Sequence, residues 1–210
     1  IGFITLPYVA TAREGVQRLG SLVEQYGMTT NESLTISDEN EIWYFETYSG
    51  HMWASQRMPE DYCAVTGNDA ILGNIDLADT DNFQASANII SFAKDNNLYK
   101  EVDGKFSAAA TYGIQTLSSY TQLREWRGRS ALALSQIGEY HINTRYEAYF
   151  KLDDKISLQQ LMSLVRDRYD STKYAVNEAS DNRPIVVDQE NLCICLQCRA
   201  DGKAPLNWLS

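Results

Sequence analysis

The sequence predicts an α+β fold, in which helices pack over antiparallel sheets. Three observations indicate this class: an early amphipathic helix, a run of short strands directly after it, and a late return of helix and strand. Segregated rather than alternating helices and strands are typical of α+β proteins. No repeat and no strong linker interrupts the 210 residues, so we predict that residues 1–210 form a single, incomplete domain.

The first predicted helix covers residues 11–26. Thr11 and Glu14 form a capping box, in which the hydroxyl accepts from an orphan amide and the glutamate reaches back to the cap. Apolar side chains then recur at steps of three and four residues, and Gly27 suits a left-handed C-terminal position. The residues of this apolar face are Val16, Leu19, Val23 and Tyr26.

Four strands are predicted after this helix, because the hydrophobic period changes from near 3.6 to two. Aspartate, asparagine, glycine and proline residues between them supply turn chemistry. We expect four antiparallel strands in succession, a meander. They run over 34–37, 41–47, 51–58 and 62–66.

Further elements follow the four predicted strands. A helix is predicted over about 81–97, and another begins at the Ser157 to Gln160 capping box and continues to Tyr169. The stretch 101–138 is helix or loop. Extended segments are predicted at 185–187 and 192–199.

Composition limits the function. The formal charge of -10 argues against a nucleic-acid partner, because such binding depends on clustered Lys and Arg. No apolar run approaches the roughly 18 residues of a membrane span, and no signal peptide opens the chain. We therefore expect a cytoplasmic protein that binds neither nucleic acid nor membrane. The sequence leaves a homo-oligomer open.

The four cysteines favour reduced thiols over a disulfide framework. Cys193, Cys195 and Cys198 have a spacing that could bind zinc, but they lie in an apolar run with strand character, far in sequence from His51 and His141. Buried packing is the better interpretation. We expect no metal and no cofactor.

Asn68 and Arg57 are the candidate site residues. Asn68 lies just past a predicted strand, after Gly67, where a side-chain amide can donate to a developing oxyanion. The plainer alternative is a turn asparagine. Arg57 could bind a substrate carboxylate through two parallel hydrogen bonds, and an exposed strand arginine is its alternative.

Other polar and aromatic residues favour structural roles. Cys63 with His51 as its base could form a nucleophilic pair, but a mid-strand cysteine more often packs. Trp43 and Trp53 lie on predicted strands, where aromatic side chains are usually core. Phosphate loops, paired histidines at helical spacing and a nucleophile elbow are absent.

Four stretches, in chain order, carry a family resemblance. They are 6–16 (LPYVATAREGV), 38–46 (DENEIWYFE), 50–61 (GHMWASQRMPED) and the segment 155–172 that opens with KIS. Together they resemble the motifs of the bacterial dipeptidases of peptidase family C69, of the dipeptidase A type, and they are spread in order across most of the chain. By this resemblance the chain is identified as a central part of such an enzyme.

The resemblance implies an N-terminal nucleophile hydrolase: a four-layer αββα sandwich whose mature first residue is a cysteine nucleophile, with its own α-amino group as base and no metal. It implies dipeptides as substrates. In the wider clan an asparagine after a strand helps to form the oxyanion hole, and Asn68 stands in the comparable place, although the inserted Gly67 departs from that pattern.

Ile1 departs from the family, because it is not a cysteine. The resemblance therefore implies that the nucleophile belongs to a preceding segment, and that further N- and C-terminal segments of the same protein are partners of this chain. Two alternatives stay open: an inactive structural or binding fragment, and a relative that cleaves another linear amide such as a penicillin or a conjugated bile acid.

Overall fold

The structure is a computed structural model that describes residues 2–177, 180–187, 194–197, 203 and 206–209. Its mixture of helices and antiparallel sheets agrees with the predicted α+β class. The chain divides into two compact units, Ile1–Glu60 with Asp69–Gln115 and Asp61–Asn68 with Thr116–Ser210. That the whole chain is one domain stays a prediction.

The first unit contains most of the described strands. Its elements are α1 (Gly2–Thr5), a 3-10 turn (Leu6–Tyr8), α2 (Ala12–Tyr26), β1 (Ser33–Ser37), β2 (Ile42–Thr47), β3 (Trp53–Arg57), β5 (Phe83–Ala85), α3 (Ile89–Asp95), β6 (Glu101–Val102), β7 (Lys105–Phe106) and α4 (Ala108–Tyr112). The second unit contains β4 (Tyr62–Ala64), α5 (Ser119–Leu132), β8 (Tyr149–Lys151), α6 (Leu158–Val165), β9 (Ile194–Gln197) and β10 (Leu206–Leu209).

Helix α2 forms as predicted. The Thr11 hydroxyl accepts from the Glu14 amide at 3.2 Å. Glu14 Oε2 accepts from the Ala10 amide at 2.7 Å, one residue before the cap. Gly27 ends the helix with φ 75°, a conformation that costs glycine little.

The apolar face of α2 packs on the sheet β1-β2-β3-β5, which is antiparallel throughout. Each fully buried aliphatic side chain of such a core stabilises the fold by about 1.5–3 kcal/mol. Trp43 and Trp53 belong to this core, so the structural interpretation of both is confirmed. The buried cluster consists of Ala12, Val16, Leu19, Val23, Ile36, Trp43, Phe45 and Trp53.

The predicted four-strand meander is correct for three strands and wrong for the fourth. β4 pairs with β8, with Cys63 opposite Phe150, rather than with β3. The free edge of β3 is taken by the segment 82–86, because Arg57 N donates to Asn82 O at 2.8 Å. The fourth strand of the sheet is therefore β5.

The helix predicted over 81–97 is shorter than expected. Phe83–Ala85 forms β5, and the helix α3 begins only at Ile89. Ser86 Oγ accepts from Trp53 N at 2.8 Å, which fixes the segment against β3. Residues 83–85 therefore pair with β3, although their apolar side chains have the spacing of a helix.

Glu46 is a buried carboxylate on β2, only 2% exposed. Its Oε1 accepts from Ile71 N at 2.6 Å, and its Oε2 accepts from Leu72 N at 3.2 Å and from the Tyr48 hydroxyl at 2.8 Å. Burial outweighs these hydrogen bonds and raises the pKa of Glu46 to about 7. Glu46 thereby fixes the segment around Ile71 to the sheet of the first unit.

The second unit is organised by α5 and by the β4-β8 pair. The predicted capping box of α6 is confirmed, because Ser157 N donates to Gln160 Oε1 at 2.7 Å and Gln160 N donates to Ser157 Oγ at 3.2 Å. Residues 185–187, predicted as extended, form no strand. Of the predicted strand 192–199, residues 194–197 form β9, and the remainder lies outside the described residues.

Candidate functional site

The candidate site is the loop that leaves β4 in the second unit. β4 ends at Ala64, and the chain continues to an exposed Asn68. Helix α5 lies against this loop. Its Glu125 side chain is hydrogen-bonded to Gly67, and its Arg124 side chain is hydrogen-bonded to Asn68. Asn68 thus stands after a strand end, as the sequence predicts.

Gly67 makes the close approach between loop and helix possible. A Cβ atom at this position would lie 2.8 Å from Thr121 Cγ2 and 2.9 Å from Thr121 O. Gly67 N also donates to Glu125 Oε1 at 3.0 Å, and Glu125 is only 5% exposed. Glycine at position 67 therefore has a packing reason in this chain.

Arg124 orients the Asn68 side chain. Its Nη2 donates to Asn68 Oδ1 at 2.5 Å, and its Nε donates to Tyr120 O at 2.9 Å, one turn earlier in α5. A guanidinium only donates hydrogen bonds, so this contact assigns the amide oxygen to Arg124. The Asn68 amide hydrogens then point away from Arg124 and are the groups able to donate to a ligand oxygen.

The pKa of Arg124 is lowered by burial and then by the nearby charge of Arg183. A guanidinium nevertheless keeps its proton at any working pH. The Asn68 amide is therefore held by a group that stays charged at any working pH.

Arg57 lies on β3 in the first unit. Its Nε is 3.1 Å from Glu41 Oε2, and Arg13 Nη2 is 3.4 Å from the same oxygen. About a third of the Arg57 side chain is exposed, 33%. A role for Arg57 in binding a substrate carboxylate stays a prediction.

The cysteine–histidine pair is not supported by the surroundings of its members. Cys63 is half-buried on β4, and burial raises the pKa of its thiol despite the nearby charge of Arg129. A thiol with a raised pKa is a poor nucleophile. His51 Nδ1 is hydrogen-bonded with Glu24 O at 2.8 Å, within the first unit.

The other cysteines add no metal centre among the described residues. Cys195 is buried, and Cys193 and Cys198 lie outside the described residues. No group of three or more His, Cys, Asp or Glu side chains in the described part of the chain is placed to hold a metal ion.

Arg124 and Glu125 were missed by sequence reasoning. They belong to 120–126 (YTQLREW), a stretch without a clear apolar face. In the structure α5 buries polar side chains instead, including Thr121, Gln122, Glu125 and Arg129. The available signal was the concentration of charged and amide side chains in one short segment.

The chain is similar in sequence to known peptidases. The matching relatives are peptidases by name, and the family model described as peptidase family C69 matches residues 1–210. The chain therefore belongs to peptidase family C69, as the four sequence motifs predict.

Three relatives illustrate the match. The chain is 34% identical over 167 residues to a probable dipeptidase B of Streptococcus pyogenes serotype M1, which covers 80% of this chain and 33% of that protein. It is 30% identical over 172 residues to a probable dipeptidase of Latilactobacillus sakei, with 81% and 36% covered. It is 29% identical over 208 residues to a probable dipeptidase of Salmonella dublin, with 93% and 47% covered. The chain spans about a third to a half of the length of these relatives.

Among the residues that the structure describes, no helix is both long enough and apolar enough to cross a bilayer.

Proposed function

We propose that the protein hydrolyses dipeptides by a cysteine nucleophile, and that this chain supplies the amide that stabilises the oxyanion. Membership of peptidase family C69 and the dipeptidase names of the relatives support the reaction. The observation that carries the proposal is the Asn68 amide, whose oxygen is held by Arg124 so that its hydrogens are free to donate.

The nucleophile is proposed to be a cysteine outside these residues, at a mature amino terminus. Cys63, with its raised thiol pKa, and the buried Cys195 are unsuited to this role. The relatives extend well beyond the part that this chain matches, which leaves room for such a residue. The 210-residue chain by itself should then turn over no dipeptide.

The proposed reaction has two stages. The thiol proton passes to the α-amino group of the same cysteine, and the thiolate attacks the scissile carbonyl carbon. The Asn68 Nδ2 hydrogens donate to the oxyanion that forms, and the C–N bond then breaks as the leaving amine takes up the proton. Water then hydrolyses the thioester, which restores the thiol and releases the amino acid that supplied the scissile carbonyl.

The N-terminal nucleophile architecture follows from the same proposal. We propose that the helices and antiparallel sheets of the two units are part of an αββα sandwich completed by other segments of the protein. We also propose a cytoplasmic location and no requirement for a metal.

The test is kinetic and uses the complete gene product. Asn68→Ala should lower kcat about 100- to 1,000-fold with KM little changed, the usual effect of removing one oxyanion donor. Asn177→Ala, an exposed asparagine in the same unit, is the matched control and should keep full activity. Alanine in place of the amino-terminal cysteine should abolish turnover.

Two results would contradict the proposal. Hydrolysis of dipeptides by the Asn68→Ala variant at the wild-type rate would remove Asn68 from the mechanism. Turnover by the variant without its amino-terminal cysteine would remove the nucleophile.

A further inference from the structure

Arg129 is the only buried cation among the residues that the structure describes, with 2% of the residue exposed. It lies in the last turn of α5, in the second unit. Burial of a charged group is unfavourable unless other groups pair with it or form hydrogen bonds to it. The contacts of the Arg129 guanidinium therefore decide whether its charge is fully compensated.

These contacts leave N–H groups of the guanidinium without an acceptor. Within the described part of the chain its one hydrogen bond runs from Nη2 to Glu147 O, and its Nε is buried with no hydrogen-bond partner. No described carboxylate forms an ion pair with it. Burial lowers the pKa of Arg129, and the nearby Glu125 carboxylate opposes this effect only in part. A group with five donors is thus incompletely satisfied.

A cavity of about 690 Å³ lies beside this guanidinium. Its wall includes Arg129 and the three residues that the guanidinium contacts. These are Glu147, through its carbonyl oxygen, and Tyr146 and Phe150, whose ring centroids lie 5.0 and 4.5 Å from Arg129 Cζ. The guanidinium is therefore part of the cavity wall, and the volume is within the roughly 300–1,000 Å³ of small-molecule sites.

The other charged groups of the wall favour a ligand with a single negative charge. Lys151 forms no ion pair with a described residue, and its Nζ lies 5.4 Å from the ring centroid of Tyr62, also in the wall. The Asp153 carboxylate is already bound, since it accepts from Ser135 N at 2.8 Å and from the Ser135 hydroxyl. Glu147 is exposed and would repel a dianion more strongly than a monoanion.

This cavity and the Asn68 amide lie on different sides of α5. Five residues separate Arg124 from Arg129, which corresponds to roughly 7.5 Å along the helix axis and to roughly 140° around it beyond one full turn. Arg124 contacts Asn68, whereas Arg129 faces the cavity. A ligand in the cavity would therefore use side chains other than those of the candidate oxyanion site.

We propose that the cavity beside Arg129 binds a small molecule that carries one carboxylate group on an aromatic body. The carboxylate accepts from N–H groups of Arg129 that have no partner, and the body packs against the aromatic side chains of the wall. Because the neutral amide of the same molecule cannot compensate the buried charge, the acid binds more tightly than the amide. This inference is independent of the proposed dipeptide hydrolysis, since it concerns binding alone.

The experiment measures binding of two probes to the complete gene product. The probes are benzoate and benzamide, which have the same ring and nearly the same shape but differ in charge. Their dissociation constants are measured by ligand-observed NMR titration at one pH and ionic strength. Thermal unfolding of each variant confirms that it is folded.

The wild-type protein should bind benzoate about ten- to one-hundredfold more tightly than benzamide, the range expected for a hydrogen bond to a charged group. Arg129→Met, which keeps an unbranched side chain at the buried position, should make the two affinities equal. Lys151→Gln should weaken benzoate alone by about two- to fivefold, because this cation is exposed to water. Lys155→Gln removes an exposed cation outside the cavity wall and should change neither affinity.

The inference is overturned if the wild-type protein binds both probes equally, or binds neither at up to about 10 mM, as it would if another segment of the protein filled the cavity. It is also overturned if the preference for benzoate survives Arg129→Met, or if Arg124→Met removes that preference instead. Should Arg129→Met fail to fold, Lys151→Gln decides: an unchanged affinity for benzoate in that variant overturns the inference.

Discussion

Replacing Arg124 by methionine removes the guanidinium that orients the Asn68 amide, and we expect kcat for dipeptide hydrolysis to fall with KM nearly unchanged. The Arg124 Nη2 to Asn68 Oδ1 distance is 2.5 Å, a charge-assisted hydrogen bond. Such bonds contribute about 1.5–3 kcal/mol. Because Asn68 is exposed and water competes for its oxygen, we expect the lower end, roughly a tenfold loss in kcat.

A double-mutant cycle shows whether Arg124 acts through Asn68. Once Asn68 is alanine, Arg124 has no amide to hold, so Arg124→Met should cost almost nothing further in kcat. The assay is steady-state hydrolysis of L-alanyl-L-alanine by the four proteins of the cycle, with thermal unfolding of each to confirm the fold. Equal losses from Arg124→Met in both backgrounds would refute a positioning role.

Three further predictions concern stability and packing. The Glu46 carboxyl has a pKa of 4.5 as its ordinary value and of about 7 in the folded chain. Its contribution to the free energy of unfolding is therefore fully present below pH 4.5, and on the order of 3 kcal/mol of it is lost as the pH rises to 7. Glu46→Gln should remove this dependence in urea unfolding measured at half-unit steps of pH, and an unchanged slope would contradict it. Gly67→Ala should force the loop away from α5, which costs about 1–3 kcal/mol and lowers kcat, whereas Gly73→Ala, with open space around its Cβ, should leave both unchanged. Leu19→Ala should destabilise the first unit by about 2–5 kcal/mol, and Leu134→Ala, 71% exposed, by less than about 0.5 kcal/mol in the same denaturation assay.

The sequence predicts those elements whose signals are local. Thr11 and Ser157 mark two helix starts that the structure reproduces, because a cap is decided by residues within one turn. The alternation through β1, β2 and β3 likewise predicts a hairpin sheet whose turns lie within the same stretch.

Non-local pairing accounts for what the sequence does not predict. β4 resembles the next strand of the meander, yet its partner β8 begins at Tyr149, far along the chain. Phe83 has the spacing of a helical face, but it lies in β5, which pairs with the edge of β3. No local sequence pattern predicts that β4 pairs with β8 or that β5 pairs with β3. Both pairings depend on which backbone N–H and C=O groups are unpaired once the other strands have formed.

The candidate site divides in the same way. The position of Asn68 after a strand is predicted from the sequence, whereas its hydrogen bond with Arg124 joins residues 56 positions apart. Helix α5 buries Glu125 and Arg129, so it lacks the apolar stripe by which a helix is normally recognised. A helix that buries polar side chains, such as α5, is therefore the element that sequence patterning identifies least well.

L-Alaninal carries its aldehyde carbon at the position of the scissile carbonyl of L-alanyl-L-alanine, so its hemithioacetal with the proposed cysteine nucleophile places an oxygen where the transition state has its oxyanion. Its affinity, compared with that of the ground-state dipeptide, reports on Asn68. We expect Asn68→Ala to weaken inhibition by L-alaninal about 100- to 1,000-fold and to leave the KM of L-alanyl-L-alanine nearly unchanged. Equal aldehyde affinity in wild type and variant would mean that Asn68 donates nothing to the oxyanion.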